Sequence, residues 1–131
     1  MPLDYSQYEP HWVKEFRRCE QWIEAALEYS HGTHDIKDIF EAVASNAVEF
    51  WPGKRCALIS QVVQYPKKKM VHIFLAGGDI NEIREIETYI TEWAKSQGCS
   101  GLSLTGRPGW TKSFLRDIGY KNTQVQMIKE F

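Results

Sequence analysis

The residues best suited to chemistry lie at two predicted strand-to-helix junctions. The first is Gly77-Gly78, which follows the apolar run "VHIFLA" and precedes Asp79 at the start of a helix. Glycines at such a junction let backbone N–H groups come close to a phosphate, because no side chain intervenes. A plain strand-to-helix turn capped by Asp79 would use the same residues. The sequence leaves both interpretations open.

The second junction is "TGRPGW", residues 105–110, between a short strand and a predicted helix. Arg107 could hold a phosphate or a carboxylate through two N–H groups. Trp110 could stack on a planar ligand or anchor a partner protein. Open α/β sheets bind ligands beyond the carboxyl ends of their strands, which is where these residues would stand. A tight corner with Trp110 packed under the sheet is the alternative.

Histidines provide the remaining candidates. His72 lies within an apolar strand, where it is either a buried, hydrogen-bonded side chain or a general base that titrates near neutral pH. His31 and His34 stand next to Asp35 in the spacing H-x-x-H-D. No third ligand is near in sequence, so these residues are predicted to be exposed or to cap a helix, and no metal site is predicted.

Length and composition indicate one ordinary globular domain over residues 1–131. The chain is 43% hydrophobic and 25% charged, with a formal net charge of -1, so nothing in its charge points to nucleic acid. Its three cysteines form no CxxC pair, which disfavours zinc and a disulfide framework. The N-terminus lacks the pattern of a secretory signal, and no apolar run reaches membrane-spanning length. A cytoplasmic protein that does not enter a membrane is expected.

Apolar residues recur first at helical spacing and then at strand spacing. Trp12, Phe16, Cys19 and Ile23 predict a first helix that ends near His31-Gly32. Further along, the predicted elements are a second helix at 36–44, strands at roughly 47–51, 56–65 and 69–76, a helix at 79–97, a strand at 101–105, a helix at 108–118 and a last strand at 123–131. In that last strand, Val125, Met127 and Phe131 alternate with polar residues.

The predicted order of elements is therefore ααβββαβαβ. The segment 69–105 reads as a βαβ unit, which should place its two strands parallel through a right-handed crossover. The other connections are short turns that favour antiparallel pairing. The expected fold class is α/β (α+β), a mixed and largely antiparallel sheet flanked by helices.

The N-terminal region carries many aromatic residues. Residues 1–8 are predicted to form an exposed arm, and Tyr5, Tyr8, Trp12 and Trp22 offer more aromatic surface than a small domain needs. Aromatic residues are enriched in the buried centres of protein interfaces. These four residues are the candidate partner-binding surface, and an oligomer is compatible with them.

The order of elements resembles the GNAT fold of CoA-dependent N-acetyltransferases. "VHIFLAGG" before a helix is similar to the family's central strand and pyrophosphate loop, and "FLRDIGY" to its closing helix with Gly-aromatic. The resemblance covers about residues 35 to 131. It is closer for small GNAT-like proteins of bacteriophages and prophages, in which "LAGG", a Trp-Ala pair, "GRPGW" and a Gly-aromatic pair follow in this order.

Two departures shape what the resemblance implies. The loop motif Gln/Arg-x-x-Gly-x-Gly/Ala is missing, and Asp79 and Glu82 place negative charge there. Leu115 stands where many members have a tyrosine acid. The expectation is therefore a non-catalytic protein without cofactor, a virion-associated or morphogenetic component that binds other phage structural proteins, in the host cytoplasm or the virion. The alternative is a divergent acetyl-CoA-dependent N-acetyltransferase, with Gly77, Gly78, Arg107 and Trp110 on the cofactor and His72, or a carboxylate such as Glu49, as base through water.

Overall fold

The computed structural model describes residues 9–107, 109–110 and 113–131. Within these ranges the chain forms three α-helices, four β-strands and a short 3-10 helix. They are α1 (His11–Leu27), α2 (Ile36–Ala44), β1 (Glu49–Pro52), β2 (Cys56–Gln64), β3 (Lys69–Gly78), α3 (Ile80–Ser96), β4 (Gly101–Leu104) and the 3-10 helix η1 (Phe114–Ile118). No helix in the described ranges is both long enough and apolar enough to cross a bilayer.

Helix α2 begins where the sequence offers a cap. The Asp35 carboxylate accepts from the Asp38 N–H, and the Asp38 carboxylate accepts from the Asp35 N–H, both at 3.0 Å. This reciprocal pair satisfies two N–H groups that the first turn of α2 would otherwise leave unbonded. The first helix ends at Leu27, earlier than its predicted end, because the chain then turns through His31 and Gly32, which both have positive φ.

The four strands lie in the order β1-β2-β3-β4. The pairs β1–β2 and β2–β3 are antiparallel, whereas β3 and β4 are parallel. The predicted βαβ unit is thereby confirmed, with α3 as its crossover. The mixed, largely antiparallel sheet flanked by helices is confirmed as well.

A β-bulge at Phe74 interrupts the β2–β3 ladder. Ile59 lies opposite Leu75 and Ser60 lies opposite Ile73, so Phe74 is an extra residue on β3. Up to Ile73, successive side chains of β3 point alternately to the two faces of the sheet, and the extra residue interrupts this alternation. As a result Phe74 and Leu75 both pack on the face of the sheet that α1 covers.

Each face of the sheet has its own hydrophobic core. Under α1 and α2 lie Phe16, Cys19, Ile23, Ile39, Val48, Ala57, Ile59 and Leu75. Under α3 lie Cys56, Leu58, Val71, Ile73, Ile83, Ile90 and Ala94. Both sets include side chains from β2 and β3, so these two central strands join the layers. The free thiols of Cys19 and Cys56 are buried, and Cys99 is partly buried.

The C-terminal predictions need correction. The described residues of the predicted helix 108–118 contain no α-helix: residues 109–110 and Phe114–Ile118 have 3-10 geometry, and residues 108, 111 and 112 lie outside the described residues. The predicted strand 123–131 is wrong. Residues 121–131 are exposed and contribute no strand. Gly119, at φ 102°, ends η1, and the chain then leaves the sheet with no ladder partner.

A polar network within the α3 face supplies a prediction. The Trp51 indole N–H donates to Ser60 Oγ, which donates to Glu49 Oε1, each at 2.9 Å. Burial raises the pKa of Glu49, although the hydrogen bond from Ser60 opposes this. The folded state therefore holds the proton more tightly than the unfolded chain does.

Because of that raised pKa, the free energy of unfolding should fall as pH rises above about 4.3, the ordinary value for glutamate. Glu49→Gln removes this titration and keeps an acceptor for Ser60. Its stability relative to wild type should therefore increase between about pH 4 and about pH 7. Urea unfolding at both pH values measures this, with the exposed Glu85→Gln as control. The prediction would be contradicted if the difference in free energy of unfolding between wild type and variant did not change with pH.

Candidate functional site

A cleft opens where β3 and β4 separate. The parallel pairing stops at Ile73–Leu104, and the last bond runs from the Thr105 N–H to the Ile73 carbonyl at 3.1 Å. Beyond it, residues 74–78 form one wall and residues 104–107 form the other. The end of α1 and the turn after it close one side. The cleft measures about 370 Å³, within the range of small-ligand sites.

The backbone of one wall faces into the cleft. The Asp79 N–H donates to the Arg55 carbonyl at 2.8 Å, which fixes the phase of the β2–β3 ladder. Bonded pairs alternate along an antiparallel ladder, so Leu75 and Gly77 bond toward β2. The N–H and C=O groups of Ala76 and Gly78 therefore face the opening. The backbone is exposed because pairing with β4 has ended, and the bulge at Phe74 sets which residues face the opening.

The described residues that line the cleft include no carboxylate. Its groups able to carry positive charge are His31, His34 and Arg107. The Arg107 guanidinium lies 6.0 Å from the centre of the Trp110 ring, in cation–π range. Ser30 Oγ is buried beside the cleft and has no hydrogen-bond partner in the described structure. The cleft is thus neutral to positive, with apolar walls.

Trp110 lies between the hydrophobic core and the cleft. Its ring is partly buried, packs edge-on against Phe114 and belongs to the periphery of the α3-side core. It also lines the cleft next to Arg107. Gly106 permits this, since a Cβ there would lie 2.7 Å from the ring. The cofactor role proposed for Arg107 and Trp110 stays a prediction.

The N-terminus of α3 is capped by the protein itself. Only Asp79 separates β3 from α3, and its Oδ1 accepts from the N–H groups of Asn81 at 2.9 Å and Glu82 at 3.2 Å. The Glu82 carboxylate in turn accepts from the Arg55 N–H at 2.7 Å. That hydrogen bond is the main reason the pKa of Glu82 is lowered. Two carboxylates therefore occupy the position where a phosphate would meet this helix.

Gly77 and Gly78 are required by packing. A Cβ on Gly77 would collide with the Trp22 carbonyl of α1, and one on Gly78 would collide with the Arg55 carbonyl. Gly78 also has φ 108°, where side chains are strained. These contacts account for both glycines without a ligand, and their part in cofactor binding stays a prediction.

His72 lies outside the described lining of the cleft. Its Nδ1 is 2.7 Å from Ser103 Oγ and its Nε2 is 3.1 Å from Thr105 Oγ1, so both ring nitrogens have partners on or beside β4. Burial lowers the pKa of His72, which keeps the ring neutral near pH 7. Its catalytic role stays a prediction, and its partners are hydroxyl groups rather than an orienting carboxylate.

The closing Gly-aromatic pair lies against α3. Leu115 is 5% exposed and has no proton to transfer. The Tyr120 hydroxyl donates to Glu87 Oε1 at 3.2 Å, and burial, followed by the nearby Glu87, raises the pKa of Tyr120. Neither residue is part of the described cleft lining.

The candidate partner-binding residues divide into two pairs. Tyr5 and Tyr8, with the whole arm 1–8, lie outside the described residues. Trp12 packs against Phe16 and Phe40 between α1 and α2. Trp22 is partly exposed, with the Arg18 guanidinium 5.8 Å above its ring. Partner binding by these residues stays a prediction.

Several cleft residues were missed by sequence reasoning. Tyr29 and Thr33 come from the turn after α1, and Gln126 and Ile128 come from the C-terminal segment. No local pattern marks them, because only the tertiary fold brings them beside β3. Residues 9–107, 109–110 and 113–131 contain no cluster of three potential metal ligands.

Comparison with solved structures finds the same architecture in acetyltransferases. An aminoglycoside acetyltransferase from an uncultured soil metagenomic sample is 15% identical, with TM-score 0.66 over 91% of this chain and 89% of that one. A transcriptional regulator from Bacillus halodurans C-125 is 14% identical, with TM-score 0.67 over 94% and 97%. A ribosomal-protein-alanine N-acetyltransferase from Brucella melitensis biovar Abortus 2308 is 11% identical, with TM-score 0.59 over 88% and 95%.

No protein-family model matches the sequence, and no curated protein matches it significantly. The similarity to the solved structures extends over most of each chain, but their identities are too low to carry an activity across. The chain has the GNAT-like acetyltransferase fold.

Proposed function

We propose that this protein is a binding protein that keeps the acetyltransferase fold without acetyl transfer. One observation carries the proposal: the Asp79 carboxylate accepts from the N–H groups of Asn81 and Glu82 in the first turn of α3. A helix N-terminus binds phosphate through such groups and through its dipole. Here an internal anion already takes both contributions.

The surroundings of Asp79 add to this barrier. Glu82 brings a second negative charge. Arg55 Nε lies 4.0 Å from Asp79, and Arg18 borders the same surface groove as Glu82. Arg55 is 76% exposed, so water screens its charge strongly. An incoming pyrophosphate would meet two carboxylates at close range with weak compensation.

The cleft suits an extended segment of a protein partner. Ala76 and Gly78 present backbone donors and acceptors along one wall, as an open sheet edge does when it takes an added strand. Apolar side chains such as Phe74 and Leu104 offer contacts between these polar groups. A virion-associated role among phage structural proteins, in the host cytoplasm or the particle, is supported by the resemblance of the sequence alone.

Calorimetric titration of acetyl-CoA tests the loss of cofactor binding. We expect no heat and no shift in melting temperature at millimolar ligand. Asp79→Ala should free the helix N–H groups and allow weak binding, while the lost cap lowers stability by about 0.5–2 kcal/mol. Micromolar binding by the wild-type protein that Gly78→Asp abolishes would contradict the proposal.

A second function is favoured by the cleft itself. The backbone groups of Ala76 and Gly78 face its interior and could hold an acyl carbonyl, as a divergent acetyl-CoA-dependent N-acetyltransferase would require. Arg107 and Trp110 would then contact the cofactor, and His72 would act as base through water. Acetyl transfer to a defined amine, lost in Arg107→Ala, would establish this function in place of the first.

A further inference from the structure

The cleft is closed at its inner end. There β3 and β4 are still paired, through the bond from the Thr105 N–H to the Ile73 carbonyl. The turn after α1 closes one side, and Trp110, at the border of the α3-side core, lies on the other. An extended chain that enters along β3, from Gly78 toward Phe74, meets the paired strands and cannot continue in its direction. The cleft therefore suits the end of a chain better than an internal segment.

The groups around the inner end favour a negatively charged chain end. The His34 ring centre lies 6.5 Å from that of Phe74, and Arg107 follows Thr105 by two residues. His31 is a third group on the lining that can carry positive charge, and the described lining contains no carboxylate. A C-terminus brings a carboxylate to these groups, whereas an N-terminal ammonium would meet charge of its own sign. Charge complementarity therefore selects a C-terminus.

Ser30 supplies an independent observation. This residue lines the cleft, and its Oγ is buried without a hydrogen-bond partner in the described structure. Leaving a buried hydroxyl unpaired costs free energy, and proteins satisfy nearly all such groups. The hydroxyl can rotate among the staggered positions of its side chain, so an acceptor atom bound in the cleft gives it the partner that it lacks. A carboxylate is such an acceptor.

The wall formed by β3 can hold the backbone of the residues before that carboxylate. Ala76 and Gly78 direct N–H and C=O groups into the cleft from alternate positions, which is the spacing at which an extended peptide presents its own groups on one side. Phe74 and Leu104 give apolar contacts to its side chains. Strand addition and capture of a terminal carboxylate are both known modes of peptide recognition.

We propose that the cleft binds the C-terminal end of a partner protein, extended along β3 with its free carboxylate beside Arg107 and His34. The Arg107 guanidinium lies 6.0 Å from the centre of the Trp110 ring. A guanidinium stacked on an aromatic ring keeps N–H groups at its edge, and two of them can donate to both oxygens of a carboxylate. This inference rests on the proposed function and adds which part of the partner enters the cleft.

Two pools of peptides test the preference for a free carboxylate. Both contain N-acetylated pentapeptides, the length of the wall 74–78, with alanine, valine, leucine and phenylalanine at random. One pool ends in carboxylates and the other in carboxamides. Mass spectrometry measures which peptides the immobilised full chain retains, and calorimetry measures the affinity of the best one in solution. Peptides with a carboxylate should bind about tenfold or more tightly than their amides, as expected for hydrogen bonds to a charged group.

Variants locate the contact. Arg107→Ala should weaken binding of the selected peptide by about tenfold or more, and Arg116→Ala, which removes an exposed arginine of η1 outside the described lining, should leave it unchanged. Ser30→Ala should weaken binding by about two- to tenfold without lowering the melting temperature, because the hydroxyl has no partner to lose in the free protein. Unchanged far-ultraviolet circular dichroism shows that each variant is folded.

Equal retention of the two pools would overturn the proposal and assign the cleft to an internal segment. Retention of neither pool would also overturn it, as would an unchanged affinity in Arg107→Ala. None of these results bears on acetyl-CoA, so the proposed function would still be judged by the calorimetric titration of that cofactor. Micromolar binding of acetyl-CoA would refute the proposed function, and it is measured without any peptide.

Discussion

Replacing Phe16 by alanine is expected to lower the free energy of unfolding by about 3–5 kcal/mol, the usual range for a buried phenylalanine. Phe16 is 0% exposed and lies between helix and sheet. Its ring centre is 5.3 Å from that of Phe40 and 5.4 Å from that of Phe50, and both contacts are edge-on. The variant leaves a cavity where α1, α2 and β1 meet, and these three elements would have to move together to close it.

Urea unfolding followed by tryptophan fluorescence and circular dichroism measures this loss. Tyr89→Ala is the control, since Tyr89 is also aromatic but is 66% exposed on α3. Its effect should stay within about 0.5 kcal/mol, as for most surface substitutions. Similar losses in the two variants would mean that Phe16 is not central to the α1-side core.

Gly78→Ala is expected to be nearly as damaging, through the backbone. The φ of 108° would add about 1–3 kcal/mol of strain to a residue with a side chain. The new Cβ would also collide with the Arg55 carbonyl and lie 2.6 Å from Cys56 Cα. Overpacking against such rigid neighbours adds about 1–3 kcal/mol more. The same urea unfolding experiment measures the sum.

Two other glycines separate strain from collision. Gly98 has φ 75° and open space around its Cα, so Gly98→Ala should show the strain alone. Gly109 also has open space and no positive φ, so Gly109→Ala should change stability little. If Gly78→Ala were no worse than Gly98→Ala, the close approach of the β1–β2 turn to Gly78 would be refuted.

Local periodicity was sufficient to predict the elements from α1 to β4. Their apolar residues repeat at helical or strand spacing, and turns such as residues 65–68 separate them, so order and pairing follow from short-range chemistry. The C-terminal segment has equally clear strand spacing, yet it forms no strand within the chain. Alternation around Val125 and Met127 predicts that one face of the segment is buried, but it does not predict which strand edge the segment pairs with.

The candidate site was only partly predictable for a related reason. Gly77 and Gly78 could be recognised as special, but whether they serve a ligand or a packing contact depends on Trp22 and Arg55, which are distant in sequence. Which backbone groups face the cleft depends on the bulge at Phe74, and no pattern in the sequence marks that bulge.

The bulge at Phe74 also changes how substitutions along β3 should be interpreted. Before it, Val71 and Ile73 point toward α3; after it, Leu75 points toward α1 and Ala76 toward α3. Odd-numbered residues of this strand therefore lie on the α3 side before the bulge and on the α1 side after it, so the effect of a polar substitution changes with it. A survey of variants that assumes one alternating pattern for residues 69–78 would assign half of them to the wrong side of the molecule.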